Sequence, residues 1–547
     1  MLLATTLLAL LRFCLGSSEQ GLDPINNMCS RWNHQSAPKP HSLLDLLAVI
    51  KDGILYIDGG IETFASNGQP PRVLGNNEYL IGVDMSDSWD WKVNVTEKAI
   101  PKTTPPSSLN SVPNMLRGAA FSAPANDPKI YIFGGSNFTL NSSFENYTGP
   151  LSDTNALWSF DPTVSEWQQH EFSGASPARP NRGAWADVSD QGLGFFLNGY
   201  YDSGTSTGYE YLHNGTIGQT GMAMVNTTDL SYSRNFSTSQ IYGLEPTYGA
   251  AMAYVPGLGR KGSLIVVGGA SKLITDSSEG EMNATGDTPR PRTDFCPVSA
   301  PAPDNSSYNI YLYGGQNPLT NEIYDEAFVL SIPSFIWIKL FVGQSPRYAH
   351  TCHFLGNRQM LTVGGSLSTN LTGTCDWEYR GVAILDMTDL TWGSVYNAYA
   401  APYELPQNIY EVIGGSATGG ANIMSPAKGF SDPSLAKLFT QPSNTSSPRT
   451  GTGGIQSTST QPASTHTGAI AGGVVGGVVG LAHLAAACLI LIRRFRGERS
   501  RSPEAGKSQD QTPHELPADK IKHTENELGT DGPVNELGVE GQLGELP

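Results

Sequence analysis

His350, Cys352 and His353 crowd into four residues, and all three side chains can ligate a transition metal. The run RYAHTCHF that holds them reads as a strand, so His350 and Cys352 share one face and His353 points to the other. Two ligands on one face do not complete a tetrahedral site, and structural packing is the better reading. Other chemistries find less. A glycosidase needs two carboxylates at a defined separation, which one sequence does not establish. GGVVGGVVG (residues 472–480) has the glycines of a phosphate loop but no Lys-Ser/Thr behind them, and it sits in an uncharged apolar run. No catalytic, cofactor-binding or metal-ligating residue is assigned, and no cofactor is expected.

The elements that would position any site come from a repeat. Short apolar runs ending in two glycines recur as ILYIDGG (54–60), IYIFGG (130–135), LIVVGG (264–269), IYLYGG (310–315), MLTVGG (360–365) and IYEVIGG (409–415). FFLNGY (195–200) keeps only Gly199. Such runs suit buried strands. The glycines, Gly59/Gly60, Gly134/Gly135, Gly268/Gly269, Gly314/Gly315 and Gly364/Gly365, let the backbone approach a neighbour closely. An arginine stands 17 residues before a glycine at Arg117, Arg182 and Arg347, and further away at Arg31 and Arg292; Tyr248 takes that place before Gly268. After the glycines, a polar residue leads to an aromatic six places on: Asp161 to Trp167, Asp386 to Trp392, Ser331 to Trp337 and Asn226 to Tyr232, with Asp84 to Trp91 at seven. Each unit reads as four antiparallel strands, and a radial array of such units is a β-propeller.

Apolar run, Gly-Gly and spaced Tyr and Trp together resemble the kelch repeat over about residues 28–440. The resemblance implies an all-β, kelch-type propeller in which these glycines and tryptophans are structural. The whole chain also resembles the single-pass surface proteins of filamentous fungi that carry a kelch ectodomain. Arginine-type starts number six and Gly-Gly-type ends seven. From Trp392 to Gly414 there is barely room for the strands of another unit, so Ile409–Gly415 reads as a closing segment. Six blades are favoured and seven are the alternative. Two places break the pattern. The fourth unit has only about 20 residues after Gly269, and the first carries an extra APKPHSLLDLLAV.

The flanks place this unit. Residues 1–18 read as a secretory signal, and 19–440 as the propeller ectodomain. Residues 441–467 are a Ser/Thr/Pro/Gly-rich stalk that cannot bury a core. The uncharged run 470–492 is long enough to cross a bilayer, and RRFRGERSR behind it marks the cytoplasmic side. Residues 493–547, with eight basic and eleven acidic side chains, read as a disordered tail. The expected location is the plasma membrane, as a type I single-pass protein with its ectodomain outside. Glycosylation sequons fall at Asn94, Asn137, Asn141, Asn146, Asn214, Asn226, Asn235, Asn283, Asn305, Asn370 and Asn444, all before the span. Small-xxx-small spacing at Gly472/Gly476 and Gly473/Gly477 would permit homodimers through the span.

Of six cysteines, Cys14 leaves with the signal and Cys488 sits in the span. Cys29, Cys296, Cys352 and Cys375 remain for disulfides in an oxidising compartment. Three pairings are open, and Cys352–Cys375 is favoured because both flank one Gly-Gly turn. The net charge of −17, of which residues 1–492 hold −14, argues against nucleic acid as a ligand. The leading functional reading is a binding module that contacts wall carbohydrate or a surface protein. It would use the loops at 61–79, 136–156 and 200–221, with Tyr147, Tyr200, Tyr201 and Tyr209 as contacts. The alternatives are a carbohydrate-active enzyme, either a hydrolase or an oxidase resembling galactose oxidase, whose propeller is of kelch type, and a sensor signalling through the tail.

Overall fold

The computed structural model describes residues 23–440, except 40–52, 65–72, 104–110, 125, 138–156, 172–179, 206–208, 210–211, 213–214, 237–246, 272–283, 344, 371–374, 379 and 431–432. The expected signal, stalk, span and tail, and most of the APKPHSLLDLLAV insertion, lie outside the described residues. Among the described residues no helix is long and apolar enough to cross a membrane.

Successive stretches of chain fold into antiparallel sheets in sequence order, as expected of a kelch-type β-propeller. The first sheet is Gln35–Lys39, Ile54–Asp58, Tyr79–Asp84 and Glu97–Pro101; the second is Ala119–Ser122, Ile130–Phe133, Leu157–Asp161 and Glu166–His170. The third is Ala184–Val188, Leu193–Leu197, Met222–Asn226 and Tyr232–Phe236. A fourth has, among the described residues, Ala251–Val255 and Ser263–Val267. The fifth is Cys296–Pro301, Tyr308–Tyr313, Glu326–Ile332 and Ile336–Val342, with Thr285–Gly286 added in parallel at its outer edge, and the sixth Thr351–Phe354, Gln359–Val363, Val382–Asp386 and Thr391–Gly393. The first strand of each sheet is innermost. Neighbouring inner strands pack side by side, and the sixth meets the first.

The glycine doublets join one unit to the next. The N–H of the second glycine donates to a carbonyl of the following unit: Gly60 to Met115 (3.0 Å), Gly135 to Pro180 (2.7 Å), Gly199 to Thr247 (2.9 Å), Gly269 to Arg292 (3.1 Å) and Gly315 to Arg347 (2.9 Å). Gly365 donates to Arg31 (2.7 Å) and so returns to the first unit. A Cβ on Gly364 would collide with that same Arg31 carbonyl, and its φ of +58° is left-handed. Inside this set runs a second one. Arg117 N–H donates to the Asn33 carbonyl, Arg182 to Arg117, Gly249 to Arg182, Asp294 to Gly249, Ala349 to Asp294 and Asn33 to Ala349, at 2.7–2.9 Å. These six residues, all at φ of +55° to +64°, form a closed hydrogen-bonded ring at one end of the axis.

Several expectations need correction. The arginines are not one class. Arg31, Arg292 and Arg347 share a position and are buried. Arg292 and Arg347 each donate from Nη1 to the carbonyl of the first glycine of their own unit, Gly314 and Gly364. All three are neutralised: Arg31 by Glu62 (2.6 Å), Arg292 by Glu326 (3.0 Å), Arg347 by Asp376 (3.2 Å) and Glu378 (3.0 Å). Arg117 and Arg182 stand two residues later in their units, on the ring itself. Turns of different length between inner strand and glycines produce the common spacing of 17. Trp167, Trp337 and Trp392 lie on outer strands as expected, but Trp91 lies in the turn before Glu97–Pro101.

Ile409–Gly415 closes nothing and is no strand. It lies largely in helix α1, Gln407–Ile413. Ile409 and Ile413, four apart, share one face and are fully buried against the fifth and sixth sheets, which stabilises by about 1.5–3 kcal/mol per side chain. Pro406 precedes the helix and Gly414 ends it. A second helix, α2 (Pro433–Thr440), packs on the apolar cluster that the fourth and fifth sheets share. Phe430 and Phe439 meet Phe335 edge-on and stack on each other at 5.2 Å, and Leu438 joins the same cluster. The C-terminal segment thus covers apolar surface of the fourth and fifth sheets.

Cys352 does not pair with Cys375. The disulfides are Cys29–Cys375 and Cys296–Cys352. In a radial array a cysteine's spatial neighbour lies in the adjacent unit. Cys296 and Cys352 are the first and second residues of adjacent inner strands, while Cys29–Cys375 joins the first unit to the sixth across 346 residues. Of the sequons, Asn94, Asn305 and Asn370 are exposed and Asn226 is half-buried, but Asn137 is buried in a strand pair and leaves no room for a glycan. The side chains of Asn141, Asn146, Asn214, Asn235, Asn283 and Asn444 lie outside the description. Replacing Cys29 and Cys375 together by serine should lower the unfolding free energy by about 2–4 kcal/mol in urea denaturation. An unchanged stability would mean that the hydrogen bonds alone close the ring.

Candidate functional site

The axis encloses a channel of about 440 Å³ lined by the inner strands of all six sheets. At one end stands the hydrogen-bonded ring. Its side chains are those of Asn33, Arg117, Arg182, Asp294 and Ala349, with Gly249 contributing none. A left-handed backbone at a non-glycine residue costs on the order of 1 kcal/mol, and Asn and Asp bear it best. Gly249 shows that glycine suits the position. Arginine at +57° (Arg117) and +56° (Arg182) is the expensive choice.

The rim above the ring is built the same way in every unit. The residue after each second glycine pairs with the residue before the ring: Ile61 with Trp32, Ser136 with Leu116, Tyr200 with Asn181, Ala270 with Tyr248, Gln316 with Thr293 and Ser366 with Tyr348. This sets Tyr200, Tyr248 and Tyr348 close to the ring arginines. Arg117 donates from Nε to Asn33 Oδ1 (3.2 Å) and from Nη1 to the Tyr200 hydroxyl (3.0 Å). Arg182 donates from Nε to Asp294 Oδ1 (2.9 Å), and its Nη2 makes a second, shorter bond to Oδ2. Its guanidinium lies 4.8 Å from the centre of the Tyr248 ring, which meets Tyr200 edge-on at 6.0 Å. Tyr200 also lies close enough to Arg182 to favour its charge, so one phenol acts on both arginines.

Two positive charges and one negative charge meet here. Burial disfavours the Arg182 charge, but Asp294 and Tyr200 outweigh it and hold its pKa above the ordinary value. Burial pushes Asp294 up, while Arg182 and then Arg117 pull it below the usual carboxylate range. Burial raises the Tyr348 phenol, Asp294 adds to that, and both arginines oppose it. Among the described residues Arg117 has no carboxylate partner within salt-bridge distance. Two of its five N–H bonds are spent on Asn33 and Tyr200.

The other candidate chemistry lies within the channel and is already occupied. Cys296, His350 and Cys352 are close enough to hold a metal, but both sulfurs are in one disulfide, which leaves a single imidazole. All four described cysteines are paired, so none of them is a thiol that could be linked to tyrosine, as an oxidase resembling galactose oxidase would need. Ser36 Oγ lies 2.7 Å from His353 Nε2 and 2.5 Å from Thr351 Oγ1, and His34 Nε2 lies 3.1 Å from Thr351 Oγ1. Burial holds His353 down to about 4, too weak a base to activate serine efficiently near neutrality. These contacts join the inner strands of the first and sixth sheets.

Of the tyrosines expected to make contacts, Tyr200 is in the cluster. Tyr201 stacks on Tyr209 beside it, centroids 4.8 Å apart, and Tyr147 lies outside the described residues. The sequence reading missed Asn33, Asp294 and Tyr348, and took Arg117, Arg182 and Tyr248 for scaffold. One signal was available: small residues follow the ring position in GAAF (118–121), GAWA (183–186) and AAMA (250–253), which aligns Arg117 and Arg182 with Gly249 rather than with Arg347.

No protein-family model matches the chain. A kelch repeat-containing protein of Arthroderma benhamiae (strain ATCC MYA-4681 / CBS 112371) is 28% identical over a match that takes in 75% of this chain. The match spans 66% of that protein's length, just under two thirds. The solved structure of YjhT aligns over 69% of this chain and 100% of its own, at 11% identity and a TM-score of 0.42. The Arthroderma relative and the sheet order together support a kelch-type propeller.

The channel histidines make the fold pH-sensitive. The unfolded chain protonates His353 near 6.5, whereas the folded chain, through burial, does so only near 4. The unfolded state therefore binds the extra proton between these values, and stability falls as pH drops through that window. His353 alone contributes a slope approaching about 1.4 kcal/mol per pH unit, and nothing above the window. Urea unfolding between pH 4.5 and 6.5 should show a flatter profile for His353→Gln than for the parent. Parallel profiles would rule this account out.

Proposed function

We propose that this chain is a surface-displayed binding protein: a six-bladed kelch-type propeller that holds wall carbohydrate at the mouth of its axial channel. The observation that carries the reading is the cluster of Arg117, Arg182, Tyr200 and Tyr248 at one end of the axis, on a backbone ring that the whole fold holds in place. Flat tyrosine faces beside fixed polar donors suit sugars, whose apolar ring faces stack while their hydroxyls hydrogen-bond. The segments after the glycine doublets, which we read as contact loops, start from the rim of this same mouth. Six sheets and a six-membered closed ring support the count of six blades. The signal-like residues 1–18, the span-length run 470–492 and the one-sided sequons support display outside the membrane.

Two measurements test this. Protease added to intact cells should remove the propeller of a C-terminally tagged chain and leave the tag; a protected propeller counts against display. On an array of wall polysaccharides the purified chain should capture a subset. Tyr200→Ala together with Tyr248→Ala should lower that capture about tenfold while the melting temperature stays near that of the parent. Capture that the double variant retains in full would place the ligand elsewhere.

A further inference from the structure

We infer that the ligand at this mouth is an acidic sugar, held through its carboxylate by Arg117 with Arg182 beside it; this rests on the carbohydrate reading above. The argument starts from charge. The chain is acidic overall, −17, yet the ring positions carry two guanidinium groups against one carboxylate, while Asp202, further out on the rim, is held by Ser136 and Asn181. Net charge acts at long range and is screened beyond about 8 Å in physiological salt, so the local excess decides what binds there.

The buried arginines of this fold are neutralised. Arg31, Arg292 and Arg347 each have a carboxylate within 3.2 Å. At the ring, Arg182 is matched by Asp294, and Arg117 lacks such a partner among the described residues. Its neighbours, the Asn33 amide oxygen and the Tyr200 hydroxyl, fix its direction and leave its charge intact. Three of its five N–H bonds remain, enough for the two parallel bonds with which guanidinium grips a carboxylate. The position itself needs no arginine, since Gly249 and Ala349 serve on the same ring. Arginine is kept there twice, side by side, despite left-handed backbone. A stacked tyrosine, a shared phenol and an unneutralised guanidinium together match a sugar ring that bears a carboxylate.

The probes are tri-galacturonic acid and its methyl ester, titrated calorimetrically into the purified full chain. The acid should bind about tenfold or more tightly than the ester, and added salt should narrow the gap. Arg117→Asn keeps a residue type that already occupies this ring at Asn33 and tolerates the same backbone; it should melt like the parent and lose the preference for the acid. Asp294→Asn removes the competing carboxylate from Arg182 and should bind the acid several-fold more tightly than the parent does, an effect opposite to that of simple structural damage. Equal binding of acid and ester overturns the anionic assignment and leaves carbohydrate binding standing. A preference that survives in Arg117→Asn, or no binding of the acid at all, also overturns it. The polysaccharide array then judges the broader reading independently.

Discussion

The rest of this structure depends on how closely the backbone of one unit approaches the next. Two sets of six main-chain hydrogen bonds run around the axis, one from the second glycine of each doublet and one through the ring residues. At Gly134, Gly314 and Gly364 an added Cβ would press into the next unit's carbonyl, so the outer set requires the glycines. Each bond alone is worth about 1 kcal/mol net. Their effect is geometric: they fix the distance between neighbouring inner strands, and hence the width of the channel and the placing of every side chain at its mouth. Because each set returns to its start, no unit can shift without disturbing both neighbours.

Closure in this chain is made without exchanging strands. The full sheets each take their four main strands from one continuous stretch, so the meeting of first and sixth units depends on side chains, on the ring and on a short antiparallel pair, Val395–Tyr396 with Trp89–Asp90. Gly365 reaches Arg31, Asn33 reaches Ala349, and Arg380 bonds Glu97 at 3.3 Å. The Cys29–Cys375 disulfide joins these units covalently. The weak point lies elsewhere, in the fourth unit, whose sheet has two strands among the described residues. Two strands alone would leave apolar side chains of the neighbouring sheet in water. Phe430, Leu438 and Phe439 meet them instead. A segment without repeat character is therefore part of the folded unit, which is why the compact unit extends past the last sheet.

What the sequence made legible follows from this. The glycine doublets are visible because close backbone contact tolerates no other residue, so fold class and the positions of the GG strands could be read directly. The short fourth unit was legible too, as a shortage of residues after Gly269. Disulfide partners were not, because Cys352 and Cys375 look like neighbours along the chain whereas each meets a cysteine of an adjacent unit. Helix α1 was hidden by its ending: Ile-Tyr-Glu-Val-Ile-Gly-Gly imitates the repeat, and only Pro406 in front and the four-residue spacing of Ile409 and Ile413 reveal it. The arginines misled through variable turn length, which brought residues of two different roles to one spacing.

That confusion points to how site and scaffold share this fold. The glycine positions are dictated by backbone contact and cannot vary. The ring position is also dictated by backbone, through its N–H, its carbonyl and its positive φ, yet its side chain takes no part in the ring bonds. It holds Asn, Arg, Arg, Gly, Asp and Ala in six successive units. Two residues earlier, where the guanidinium of Arg292 or Arg347 reaches a glycine carbonyl, the side chain is part of the architecture. One arginine type thus serves as buried mortar at one position and as a half-buried charge at the channel mouth two residues away. Side chains on the ring can change with little effect on how neighbouring units meet, and the whole propeller holds them rigid. Such a position can carry recognition without weakening the fold. The residues placed there, Arg117 and Arg182 above all, describe the ligand better than the glycines that first reveal the array.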